Sequence, residues 1–373
     1  MAGMAHVHPG LGVEYNHDLD VSASFLESHA EILDALRDQR LLEEVKYYNS
    51  QARSHKRMFH SLGLGSLLLG LLTLVAAAFS AITGESVVPW IGTIGVIVES
   101  GSVAALVLIL WNRLGRHRVL WCQAVFCRER LRQWHFQLLL DGQLVGLLPI
   151  RPDEFKREVD RRWGVLQQNL RDGYGMMTAF VRHGSRADEF FHQPSKYDDP
   201  ALAANVLEVL WTLRFEHQLR YGQRKVEPEA EQAGMALKER AGLSESVATF
   251  TLAGAVLVGA VGFFIALSQG FPNLNLLSWS PEVTQIASRR FAGSALLLAV
   301  LSAASRAYRA GYTLPDESES YEEYRDRVRE YKAVLKRAST EQEKFRELEH
   351  LEAEAALELR RFIRMKMRAT FIF

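Results

Sequence analysis

The chain has 373 residues, enough for two or three domains, and its 44 basic side chains balance 44 acidic ones. Net charge therefore carries no global signature of a nucleic-acid partner. The charge is segregated, however: stretches almost free of it alternate with heavily charged ones, a pairing of segments suited to lipid with segments suited to water.

Residues 1–19 read as a flexible N-terminal tail. The opening "MAGMAHVHPGLGVEY" has no basic segment leading into an apolar core, so no cleaved signal peptide is expected. His6 and His8 fit a disordered tail better than a metal site. A first helix–hairpin–helix unit is expected over 20–145. Within it, 61–82 is an uncharged run, long enough for the ~20 apolar residues that cross a bilayer core. A second run, 87–111, follows after only "TGES", so the two spans make a helical hairpin. Cys122 and Cys127, just beyond, form neither a disulfide framework nor a zinc motif and read as reduced structural thiols.

The next segment, 146–200, reads as a helical cytoplasmic insert with exposed loops. "LLPIRPDEF" breaks a helix at Pro149 and starts one near Pro152, and "RDGYGMM" and "HQPSKYDDP" are rich in turn residues. A second unit, 201–373, repeats the plan of the first, with spans at 247–268 and 284–305 and a long C-terminal cytoplasmic helix. In "SWSPEV", Ser280 is placed to cap a helix that begins at Pro281. Tyr321, Tyr324, Val328, Tyr331, Leu335, Ala338 and Phe345 form a stripe at helical spacing that must pack on another helix. If straight, 316–365 would extend ~75 Å, at 1.5 Å per residue.

The flanks set the expected orientation. Arg53, Lys56 and Arg57 precede the first span, and Arg113, Arg116 and Arg118 follow the second. Lys238 and Arg240 precede the third, and Arg306 and Arg309 follow the fourth, while the linkers 83–86 and 269–288 hold no Lys or Arg. By the positive-inside rule, both termini and the centre face the cytoplasm. The fold class expected is an all-α integral membrane protein: four transmembrane helices as two hairpins, with long cytoplasmic helices in a bundle or stalk.

Two groups of residues invite a functional reading. In "VIVESGSVAAL", Glu99 lies at the midpoint of the second span, where a carboxylate is costly and faces protein or water. Gly92, Gly95, Glu99 and Ser102 share one small, polar helical stripe, the candidate pore lining. The alternative is a protonated Glu99 hydrogen-bonded between helices. The second group is basic and aromatic: Arg128, Arg132 and Trp134 with His135 alongside, and Arg161, Arg162 and Trp163. Arginine forks and aromatic faces suit the phosphates and bases of a nucleotide or short oligonucleotide. Interhelical salt bridges, or attraction to anionic membrane lipid, would explain the same residues.

Catalytic signatures are missing. The sequence has no phosphate-binding loop ending in Lys-Ser or Lys-Thr, no GxSxG, no HExxH and no paired CxxC. An enzyme is the minor expectation, with no cofactor and no metal.

The span flanks "YYNSQARSHKRMF" and "WNRLGRHRVLWCQAVFCRERLRQWHF", with "SESYEEYRDRVREYKAVLKRA" and "EHLEAEAALELRRFIR" in the last third, resemble the SLATT proteins. These are two-span effector domains associated with SMODS nucleotidyltransferases and SLOG sensors. The resemblance covers most of 40–140 and 300–368. It implies a homo-oligomeric pore-forming effector of a bacterial antiphage system, in the inner membrane. Its opening would be coupled to a nucleotide or oligonucleotide made by a neighbouring nucleotidyltransferase, as in Hailong-type systems. The chain departs from the family in carrying two span pairs and a central insert, and the resemblance transfers no ligand residues. Two rivals remain from the residues alone: a secondary transporter with Glu99 as its ion or proton site, and a membrane scaffold that recruits a cytoplasmic partner.

Overall fold

The computed structural model describes residues 23–35, 38–83, 91–183, 197–216, 237–270 and 280–371. Among the described residues the protein is all-helical, 92% helix, with no strand. In chain order the helices are α1 (Ala23–Ser28), α2 (Ala30–Ala35), α3 (Gln39–Thr83), α4 (Ile91–Leu114), α5 (His117–Gln137), α6 (Gly142–Gly146), α7 (Pro152–Arg171), α8 (Gly173–His183), α9 (Pro200–Leu210), α10 (Leu237–Gly270), α11 (Pro281–Tyr312), α12 (Leu314–Arg337) and α13 (Glu341–Arg368). The expected tail, 1–19, lies outside the described residues, as do 87–90 of the second expected span.

The chain divides into two compact units, each assembled from separated segments. One comprises Met1–His55, Arg118–Ala236 and Asp316–Met367; the other comprises Lys56–His117, Leu237–Pro315 and Arg368–Phe373.

The first unit has a core of large side chains. Phe136, Val206, Leu213, Phe215, Val328 and Leu351 are all essentially inaccessible and belong to one cluster. Each such side chain contributes ~1.5–3 kcal/mol by leaving water. The stripe read from the sequence feeds this core. Tyr321, Tyr324, Val328, Leu335 and Phe345 are buried, and Tyr331 and Ala338 are half-buried. Its packing partner is internal, because the segment that would span ~75 Å as one straight helix turns back at 338–340 instead. Thr340 accepts a hydrogen bond from the Glu343 amide, and Glu343 accepts one from the Thr340 amide, both at 3.2 Å. This capping box satisfies the orphan donors of α13 and fixes the break. α12 and α13 then run antiparallel, joined by Arg327–Glu354 at 2.6 Å and Arg361–Glu323 at 2.9 Å, and by Lys366 with Glu317.

The second unit is packed by small residues. Three helical stretches are long and apolar enough to cross a membrane: Gln39–Ser80 in α3, Glu239–Ser268 in α10, and Pro281–Arg337, of which α11 is the apolar part. α10 and α11 lie antiparallel. Ser302 donates to the Ala248 carbonyl at 2.8 Å and Ser305 to the Ser244 carbonyl at 2.7 Å. A carbon added at Gly254 would lie 3.3 Å from Leu298, and one added at Gly262 only 2.8 Å from Phe291. α3 meets α4 in the same way: Asn112 donates to the Phe59 carbonyl at 3.3 Å, and Gly101 sits against Thr73 too closely for any side chain. Gly293 of α11 has the same relation to Ile82 of α3. Close approach at small residues is how helices associate where apolar burial supplies no driving force. α11 begins where the sequence places it, with Pro281 in its first turn and the Ser280 hydroxyl accepting from the Val283 amide.

Each antiparallel pair in the second unit ends at a residue held in the left-handed region. Arg116 follows α4 and Thr313 follows α11, both at φ 51°. Neither is glycine, so both residues carry backbone strain. Phe371, near the C-terminus, is buried against Gly63 and Gly311, with its ring beside those of Phe59 and Tyr312 at 5.5 and 5.3 Å.

Candidate pore carboxylate and ligand-binding residues

Glu99 is exposed on α4. Its neighbours on that surface, Val96, Val103, Leu106, Val107 and Leu110, are exposed as well. The opposite side of the helix, with Gly101 and Ala105, is the one that approaches other helices. Glu99 makes no hydrogen bond or ion pair among the described residues. Ser102 is exposed beside it and donates to the Val98 carbonyl at 2.8 Å, so its hydroxyl is satisfied within its own helix. Gly92 and Gly95 fall on α4, but their surroundings lie outside the described residues. The result is an apolar outward face interrupted by one carboxylate. In lipid such a group costs ~3 kcal/mol at mid-depth, and the cost is relieved where the group faces water or a second protein surface.

The six basic and aromatic candidates all fall in the first unit, on α5 and α7. The structure brings Trp134 and Trp163 together: both are buried, with ring centroids 5.4 Å apart. The arginines around them are engaged by carboxylates. Arg128 reaches Glu129 at 2.7 Å and Asn49 at 3.1 Å, and Arg132 reaches the same Glu129 at 3.4 Å. Arg161 holds Glu158 at 2.6 Å, and Arg162 bridges Glu158 at 2.8 Å and Asp141 at 2.7 Å. Burial pushes the Glu129 carboxyl up, but Arg132, Arg128 and Arg214 outweigh it and hold it at about 2. Hydrogen bonds from Arg161, then Arg162, hold the Glu158 carboxyl at about 2. Most of these pairs lie within a single helix; only Arg128, to Asn49 of α3, and Arg162, to Asp141 at the start of α6, reach another element. His135 is fully buried, and that burial lowers its pKa to about 4, so it is neutral at physiological pH.

Two cavities in this unit were not anticipated from the sequence. A cavity of about 610 Å³ is lined by Arg40, Glu43, Glu44, Tyr47, Trp163 and Gln167. Arg40 there is already bound to Asp38 at 2.8 Å and Asp160 at 2.7 Å, so the lining has an excess of carboxylates. A smaller cavity of about 300 Å³ lies where the end of α12 and the start of α13 meet α9, and it includes Trp211, Lys336 and Lys344. Trp211 opens a single π turn, Trp211–Phe215, that continues α9 and places its ring on that of Phe215, 4.7 Å away at 23°. π turns recur at functional positions because they re-aim side chains within a helix. Hydropathy and spacing do not reveal such a turn.

A third buried feature was also not foreseen. Arg214, in the π turn, pairs with Glu352 of α13, with Nη2 to Oε2 at 2.9 Å, and both side chains are almost inaccessible. Glu129 contributes a second negative charge near it. Among the described residues no group of His, Cys, Asp and Glu could hold a metal ion.

The fold and these sites define an all-helical protein with three helices able to cross a membrane. No family model, curated protein or solved structure matches the chain.

Proposed function

We propose that the chain is one subunit of an oligomeric ion channel in the bacterial inner membrane. It acts as a pore-forming antiphage effector gated by a nucleotide or short oligonucleotide, and its opening depolarises the cell. In this reading the membrane part is four spans in two hairpins, 61–82 with 87–111 and 247–268 with 284–305, and both termini are cytoplasmic. The observation that carries the pore is Glu99: an exposed carboxylate with no partner among the described residues, on an apolar helix face. Cyclic assembly would turn one such group per subunit into a ring at a constriction and favour cations. The apolar face around it, and those of α10 and α11, would be covered by lipid and by further copies of the chain. The defence role and the nucleotide signal rest on the resemblance to SLATT proteins.

The test is permeation through purified channels in planar bilayers. Glu99→Gln and Glu99→Ala should both change conductance or shift the reversal potential in a salt gradient, with Gln close to Ala. Unchanged selectivity in both variants, in channels that still open, would remove Glu99 from the ion path.

A further inference from the structure

The gating reading leaves open where the nucleotide binds. Because Arg128, Arg132, Arg161 and Arg162 are already engaged by carboxylates, a phosphate would have to displace an existing pair at each of them. The larger cavity is worse, since Glu43, Glu44, Asp38 and Asp160 around Arg40 would repel an anion.

The smaller cavity has the opposite balance. Lys336 and Lys344 line it, and neither ammonium has an ion pair or hydrogen bond among the described residues. Its one carboxylate, Glu208, is 3.4 Å from the His29 ring. Trp211 is half-buried and backed on Phe215, which holds the indole rigid and leaves its remaining surface to the cavity beside Leu207 and Leu348. A rigid aromatic platform, apolar walls and two unengaged ammonium groups match a base with its phosphate: the ring stacks, and the lysines act as point charges on the anion. The volume, about 300 Å³, is at the small end of ligand sites and fits a single nucleotide unit.

On the premise that the channel answers to a nucleotide, we infer that the site is this pocket between α9 and the α12–α13 turn, with Trp211 stacking the base and Lys336 and Lys344 taking the phosphate. The pocket spans the turn fixed by Thr340 and Glu343 and the π turn that bears Arg214. A ligand there would bear directly on how α13 packs against α9.

The experiment uses the full-length protein in lipid nanodiscs. The probes are ATP and a fluorescent four-nucleotide deoxyadenylate with a 5′ phosphate, with binding read by anisotropy across a salt series. Wild type should bind at least one probe. Lys336→Ala with Lys344→Ala should weaken that binding by about tenfold or more, and the slope of log K against log salt should shrink by about 1.4, two contacts at ~0.7 each. Trp211→Ala should weaken it similarly and Trp211→Phe should retain it. Inorganic pyrophosphate should compete poorly; competition as strong as by the nucleotide would mean that phosphate alone is read, and the stacking role would fall. Wild-type binding in the lysine and Trp211→Ala variants, with Arg161→Ala and Arg162→Ala impaired instead, would overturn the pocket and leave nucleotide gating intact. Failure of wild type to bind either probe would overturn both.

Discussion

The two units solve helix packing in opposite ways. In the first, the largest side chains are inside: Phe126, Phe136, Phe215 and Leu131 are at or below 1% exposure. In the second, Phe59 and Phe371 are buried but many other large side chains are outside: Phe250 is 77% exposed, Leu257 68% and Phe264 67%. Its contacts are made by Gly63, Gly101, Gly254, Gly293 and Gly311. The charges divide likewise. The first unit buries ion pairs, whereas the outward face of α4 displays a lone Glu99. Apolar atoms move inward only where water surrounds the protein. One chain with both arrangements has one unit suited to water and one with helices apolar enough for a membrane.

The largest effect should follow from breaking the buried pair of the first unit. Glu352→Ala leaves Arg214 charged and unpaired and should cost ~3–5 kcal/mol, read as a loss of thermal stability. The double variant Arg214→Met with Glu352→Leu should recover most of that loss. If the single variant is neutral, water reaches the pair and the first unit is wetter than its burial implies.

The second unit should fail by overpacking instead. Gly311→Leu drives a side chain into the Phe371 ring and should cost ~1–3 kcal/mol, measured as melting in detergent. Phe371→Ala in the same chain should relieve part of it, since it removes the obstacle. An additive double variant would show that the two residues do not meet.

A smaller effect tests the turn. Thr340→Ala removes the acceptor for the Glu343 amide and should destabilise by ~1 kcal/mol. Amide exchange at the start of α13 should rise, with the helices of the second unit unaffected.

The smallest is a pH effect confined to α13. Burial raises the Glu358 and Glu349 carboxyls to about 7, from 4.5. The folded state therefore keeps protons that the unfolded chain releases, and stability should fall as pH rises from about 4.5 through about 7. Glu358→Gln should flatten that slope and gain roughly 1 kcal/mol at pH 8, after discounting for screening. A slope unchanged in this variant would show that Glu358 is ionised at neutral pH.

The three helices long and apolar enough to cross a membrane were legible in sequence, because apolar runs of span length declare themselves by composition alone. So was the start of α11, since Ser280 and Pro281 act locally. The break at 338–340 was legible too, in the pattern Thr340 to Glu343, but a continuous apolar stripe from Tyr321 to Phe345 hides it. The stripe is shared by two helices that fold onto one core, and periodicity does not register the reversal. Glu99 stood out as a charge in an apolar run, yet the face it occupies depends on which side of α4 carries Gly101, a matter of packing. The pocket residues gave no signal: Trp211, Lys336 and Lys344 are far apart in sequence and ordinary in type. Arg128, Arg132, Arg161 and Arg162 gave a strong one, but Glu129, Glu158 and Asp141 answer it within the chain.

The central claim, that one unit is bathed in lipid and the other in water, is tested most directly by fluorophore quenching in proteoliposomes. Cys122 and Cys127 are fully buried, and burial pushes both thiols up to about 12, so a single introduced cysteine will carry the label. Bimane attached at Leu257→Cys of α10 should be quenched by brominated lipid and insensitive to iodide. Bimane attached at Val165→Cys of α7, an exposed position of the first unit, should show the reverse. Strong iodide quenching at both positions, with no effect of brominated lipid at 257, would contradict the account.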